Sequence, residues 1–380
     1  MNKEHLDQII KHYIREFEKI NGMGEEYYKW QICKEFPVLM KEALDAPTED
    51  FANALYKAKK CTENIIDGYT QPFSGLVDLA RKESEAENIR GILKRLYADD
   101  GGDLKVQMEI IENFFNEYDE VLERHYQDSF LYKQNSHSVS ALLFLNDPEH
   151  HFMYKATQSK AFADCVEFYD DWGSGDNIRL DTYYRMCNEL VKYIKECPEL
   201  LELDAKRKSF DTYNREFHED AEKHILAFDI IYCCTVYDLF DGITYKKRNY
   251  KEKQQYVEEK RKAEVLKAQF EKANSEMMLL QEALSCFMDL IRVGDTVKHI
   301  KRGAGVVKAI DVDYVSIDFN GEVVPIGLAI GVGNGILSVE KDGFADKVNE
   351  YRDVLKRYDS VPRALDYAAR ALEGYEEYLE

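Results

Sequence analysis

Apolar residues recur at helical spacing from the start of the chain. Leu6, Ile9, Ile10, Tyr13, Ile14, Phe17 and Ile20 form one stripe that stops at Asn21-Gly22. The same period predicts helices at 25–44, 48–65, 85–98 and 104–126. Ala46-Pro47-Thr48, Gly68, Pro72 and Asp99-Asp100-Gly101-Gly102 punctuate them. Thr48-Glu49-Asp50 reads as a capping hydroxyl followed by acids that suit the helix dipole. Apolar stretches at 136–147 and 155–170 flank Pro148-Glu149-His150-His151, and a loop at 173–177 leads into a helix over 180–196. Residues 209–240 predict an unusually apolar helix, buried or covered by a partner.

A long helix is predicted from Lys246-Lys247-Arg248 to residue 291. Tyr256, Ala263, Phe270, Met277 and Leu284 recur every seventh residue, and Leu266, Ala273, Leu280 and Phe287 follow three residues behind. This is an a/d seam at the lower length limit for a coiled coil. Its small and aromatic members suit an antiparallel hairpin or a docked helix as well as a dimer. The basic start of the helix reads as a solvated face, with a phosphate track as the alternative.

Beyond 291 the period becomes alternating. Val293-Gly294-Asp295 opens a strand, Gly303-Ala304-Gly305 reads as a tight turn, and Val306, Val307 and Ile310 fall in a second strand. Val315, Ile317 and Phe319 alternate with polar residues up to Asn320-Gly321, a strong two-residue hairpin signal. Several short strands in so few residues close most economically as a small barrel. A last helical stretch at 343–379 is broken at Val361-Pro362. The expected fold class is therefore mainly α with a small C-terminal β-barrel. The expected domains are a helical body at 1–205, a helical region at 206–291, a barrel at 292–340 and a helical segment at 341–380.

Composition narrows the function classes. Tyr numbers 26 against 7 Pro, which favours long helices. A net charge of −21 repels nucleic acid and anionic membranes at long range, so any DNA contact must come from one face. None of the eight cysteines forms a C-x-x-C pair, there is no signal peptide, and no run is apolar enough to span a membrane. The expected location is the reduced cytoplasm.

No catalytic pattern emerges. His150-His151 with Asp147 and Glu149 read as turn and packing residues, and His218 and His224 lie six apart and face different sides of the predicted helix. No G-x-S-x-G elbow, no Walker A loop and no nuclease core of strand-borne acids beside a Lys is present. No metal or cofactor is implied. In the barrel, Lys298, His299, Lys301, Arg302 and Lys308 cluster around the first turn as a contact for a phosphate or an acidic partner, with Tyr314 as an aromatic contact.

Two resemblances follow from these motifs. Val293-Gly294-Asp295, Val297, His299, Gly303, Gly305 and Val307, then Asp318-Phe319 and Gly321-Glu322, resemble the Tudor-like module of UvrD/PcrA-type helicases and, more loosely, CarD-like and KOW domains. That resemblance implies a module binding protein, notably RNA polymerase, or nucleic acid. The Gly-rich run at 330–335 departs from its usual ending. Residues 1–205 resemble the helical N-terminal domain of McrB-type restriction ATPases, on Tyr28-Lys29-Trp30, His125–Asp128, Ser138–Leu145 and Asp147–Lys155. That implies restriction or anti-phage defence, with the ATPase half missing. The expected function is a non-enzymatic adaptor that binds a defence ATPase, a nuclease or RNA polymerase, with DNA as an open partner. A divergent metal-dependent nuclease and a structural coiled-coil homo-oligomer remain the alternatives.

Overall fold

The N-terminal stripes fold as α1 (Lys3–Gly22), α2 (Tyr28–Asp45), α3 (Thr48–Cys61), α4 (Pro72–Ala80), α5 (Ala86–Leu96) and α6 (Leu104–His125). They continue as α7 (Ser136–Asn146), α8 (Ala156–Cys165), α9 (Leu180–Lys195), α10 (Pro198–Lys206) and α11 (His224–Val236). This computed structural model describes residues 1–380 except 63–64, 100, 128–129, 174–177, 287–290, 312–313, 376–377 and 380. The chain divides into two compact units, Met1–Gln254 and Gln255–Glu380. The boundary expected at 205 lies inside the first unit, because Ile225, Phe228, Ile231 and Leu239 join the same core as Tyr13, Phe36 and Phe144.

Helix starts follow local chemistry. Asn2 and Asp103 accept backbone N–H groups at the starts of α1 and α6, and Asn135 with Ser138 forms a capping box on α7. Thr48 is not the cap expected for α3. It is the first helical residue, and its hydroxyl donates to Glu87 at 2.6 Å. The helix expected over 209–240 is only α11. Before it, Asp211 is tied to Arg215, and Asp220 accepts the N–H groups of Ile225 and Leu226 (both 3.0 Å). His218 thus lies off the helix.

The second unit holds most of α12 (Tyr250–Cys286), then β1 (Thr296–His299), β2 (Gly303–Ile310), β3 (Tyr314–Phe319) and β4 (Glu322–Gly327). A short α13 (Leu328–Gly333), β5 (Leu337–Val339) and α14 (Phe344–Leu372) complete it. The strands are antiparallel in the order β4-β3-β2-β1-β5. The protein is mainly helical with a small C-terminal sheet and a C-terminal helix, but the sheet is not closed as a barrel. The Gly-rich run explains part of the difference: it forms α13, where a Cβ on Gly331 would come within 2.8 Å of Leu337.

The Asn320-Gly321 hairpin is present, with both residues at positive φ and Phe319 paired with Glu322. The first turn sits earlier than expected. His299 pairs with Gly303, so residues 300–302 turn and Gly305 lies within β2. A Cβ there would meet Phe319 and Ile317 at 2.6–2.7 Å. Gly305→Ala should therefore lower the stability of this unit by about 1–3 kcal/mol in urea unfolding. A loss below about 0.5 kcal/mol would mean that the core adjusts freely. The helix expected to break at Pro362 instead runs through it, with Val361 buried one residue before.

Candidate functional site

Alternation sends one side of each strand inward. Val297, Val307, Val315, Ile317, Phe319 and Leu337 form the core of the second unit with Phe344, Val348 and Tyr351 of α14. The pairing register then sets Thr296, Val306, Asp318 and Val323 side by side across β1–β4 on the outer face. Lys298, Ala304, Tyr314 and Pro325 share that face. Antiparallel sheets that look to water normally present polar residues there. Here Val306, Tyr314 and Val323, which are 39%, 56% and 55% exposed, stand among Thr296, Lys298, Ser316 and Asp318.

The residues singled out around the first turn separate into two groups. Lys298 and Lys301 are exposed and have no ion-pair partner among the described residues. Arg302 pairs with Glu322 at 3.1 Å and Lys308 with Asp318 at 3.5 Å. His299 shapes the turn: its Nδ1 accepts the backbone N–H groups of Lys301 (3.0 Å) and Arg302 (3.1 Å), and its ring meets Phe319 edge-on. Tyr314 stands on the outer face, as an aromatic contact requires.

The other expected sites resolve differently. Lys246, Lys247 and Arg248 precede α12 and are not on it. Arg248 is bound to Glu167 at 2.7 Å and the Tyr169 hydroxyl at 2.8 Å, so it is no free phosphate contact. In the second unit the seam faces inward. Tyr256, Ala263 and Leu280 are buried, and Leu266, Phe270, Ala273, Met277 and Leu284 are half-buried. Phe287 lies outside the described residues. Glu276 of α12 pairs with Arg357 of α14 at 2.8 Å, and Tyr256 packs on Tyr378. These contacts lay α14 along α12 in the hairpin arrangement that the seam allows.

In the first unit the sequence reading missed a buried charge network. Asp229 of α11 accepts from the Tyr13 hydroxyl and from Lys29, which also donates to Glu26 at 2.6 Å. Arg207 donates to Asn21 at 2.6 Å, the Tyr13 hydroxyl at 2.9 Å and Asp204 at 3.1 Å, and stacks 3.7 Å over Trp30. Burial pushes the Asp229 carboxyl up, but the Lys29 and Arg207 charges override it and hold it below its ordinary value. The available signal was one acid in the apolar run LAFDIIYCC, which demands buried partners. The network extends outward through the Tyr237 hydroxyl, which donates to Glu26 at 3.1 Å, and Lys223, which donates to Asp204 at 2.9 Å.

The histidines of the Asp147–His151 turn diverge. His150 bonds Asp147 at 2.8 Å, while His151 reaches the Tyr184 hydroxyl at 3.2 Å and its carbonyl accepts from His224 at 3.1 Å. Among the described residues no group of three His, Cys, Asp or Glu is arranged to hold a metal ion. Nor is any described cysteine in a disulfide.

Glu85 has a pH consequence. Burial raises its carboxyl, and hydrogen bonds from Arg124, Asn88 and His125 more than offset this, lowering it to about 2. Its folded value lies below the ordinary 4.5. Its contribution is therefore complete above pH 4.5 and is lost as pH falls towards 2. Arg124 is half exposed, so solvent screens the pair, and Glu85→Gln should cost about 1 kcal/mol at pH 7. The gap between wild type and variant in urea unfolding should narrow below pH 4.5 and close near pH 2. A gap independent of pH would contradict this.

Among the described residues no helix is long and apolar enough to cross a membrane. Compared with known proteins, the chain matches no family model, no curated protein and no solved structure.

Proposed function

We propose that this chain is a non-enzymatic adaptor whose outer sheet face docks a protein segment carrying acidic and aliphatic side chains. The observation that carries this reading is the pair of exposed valines, Val306 and Val323, on either side of Asp318 in one cross-strand row, with Lys298 on the same face and Lys301 in the adjoining turn, both without an ion-pair partner among the described residues. A nucleic-acid site would need a field of free basic groups, and Arg302 and Lys308 already serve Glu322 and Asp318. Strand addition at the β4 edge is disfavoured by Pro325, which has no N–H to offer, so the face is the docking element. The buried thiols of Cys33, Cys165, Cys187, Cys233 and Cys234 suit a reduced cytoplasm. Restriction or anti-phage defence is the setting that the sequence resemblance supplies for this adaptor.

Panning a random-peptide display library on the full-length chain tests the reading. Enriched peptides should pair Asp or Glu with Val, Leu or Ile, and Lys298→Glu with Lys301→Glu should weaken them by about tenfold or more. No enrichment would overturn the proposal. So would tighter binding of a DNA or RNA oligonucleotide with a steep salt dependence.

A further inference from the structure

We propose that Lys155 is a site of covalent acylation, where the side-chain amine captures an activated acyl group such as that of a thioester. Lys155 directly precedes α8, and its Nζ stands 4.9 Å from the ring centre of Tyr232 on α11. The Lys29 ammonium lies 4.2 Å from the same ring. Two amines therefore crowd one aromatic ring, and only one of them is compensated. Lys29 is held by Asp229 and Glu26. The Lys155 amine has no hydrogen-bond or ion-pair acceptor among the described residues. Lys155 is partly exposed, and its amine is not one of the unpartnered atoms shut off from solvent, so a small reagent can reach it.

A lysine attacks only as the neutral amine, and partial desolvation beside a second cation is the arrangement that frees it. Burial, and then the Lys29 charge, hold Lys155 below the ordinary lysine value of 10.5, while the Glu26 carboxylate pulls the other way without cancelling them. In the reaction the Nζ lone pair attacks the acyl carbon, the C–S bond breaks, and the amine proton leaves with the thiol. The product amide is uncharged. That suits a position where Lys29 opposes a second positive charge, and it separates acyl donors from methyl donors, which leave the nitrogen cationic. The change also reaches His137 of α7, whose ring nitrogens bond the carbonyls of Tyr154 at 2.8 Å and Ile65 at 2.9 Å. Burial first, and the Lys155 charge with it, hold this imidazole below its ordinary 6.5. A neutral ring has one N–H and serves one of the two carbonyls, whereas the imidazolium serves both. Acylation of Lys155 removes a charge that opposes the imidazolium.

Peptide mass mapping of the full-length chain after brief exposure to an uncharged acetyl thioester at neutral pH tests this. Lys155 should be acetylated about fivefold or more faster than Lys41 and Lys57, which are exposed and without an ion-pair partner among the described residues. In urea the preference should vanish, because it depends on the folded surroundings. In NMR titrations of the native chain, the His137 imidazole should titrate at higher pH once Lys155 is acetylated. In Lys155→Arg, which keeps the charge and has no amine to acylate, the same reagent should leave the His137 titration where it was. Equal rates at the three lysines would overturn the proposal. So would a preference that survives in urea, or a His137 titration unmoved by acetylation of the native chain.

Discussion

Asp229→Ala will destabilise the helical unit by about 3–5 kcal/mol in urea unfolding at pH 7. The carboxylate is fully buried and answers two buried cations, Lys29 and Arg207. Removing it leaves both charges in a low-dielectric core with Glu26 and Asp204 as their remaining counter-ions. The Tyr13 hydroxyl, which donates to Asp229, loses its acceptor as well. Lys29→Met in the same background should recover part of the loss, since it removes one of the stranded charges. Lys11→Ala, which breaks an exposed pair with Asp7, should leave stability nearly unchanged. If Asp229→Ala costs no more than Lys11→Ala, the network does not organise the core.

The second large effect concerns binding. Val306→Ser combined with Val323→Ser should weaken a selected acidic peptide by roughly 30- to 150-fold, as loss of about 2–3 kcal/mol of apolar contact implies. The two side chains flank Asp318 across three strands, so both serve the same stretch of surface. Both are exposed, and their replacement should leave the unfolding midpoint nearly unchanged. A large fall in stability with unchanged affinity would make them structural residues instead.

Much of the fold was legible because its signals are local. The stripe from Leu6 to Ile20 gives α1, and the alternation of Val315, Ile317 and Phe319 up to Asn320-Gly321 gives the β3–β4 hairpin. Where the signals misled, a local sign had two meanings. Pro72 read as punctuation between helices and does stand at a boundary, but it also opens α4, which was not expected, as its first residue, where its missing N–H costs nothing. Pro362 also read as a break, but a helix packed along its neighbour tolerates it. Closure of the sheet could not be read from alternation, because it depends on where the Gly-rich run at 330–335 goes.

The sites show the same division. A basic turn was visible in the sequence, but which of its members are free was not. Arg302 meets Glu322, and Lys308 meets Asp318, only through cross-strand register. Which of Val306 and Val307 points outward is likewise decided by register. Tyr13, Lys29, Arg207 and Asp229 come from four distant segments and meet only in the folded core.

Methyl NMR of the full-length chain, labelled at Val and Ile and titrated with a display-selected peptide, tests the docking face most directly. The largest shifts should fall on the Val306 and Val323 methyls, with smaller ones at Val307 and Val315 beneath and none at Ile9 or Ile231 of the helical core. Shifts confined to the helical unit, with Val306 and Val323 unmoved, would contradict the account.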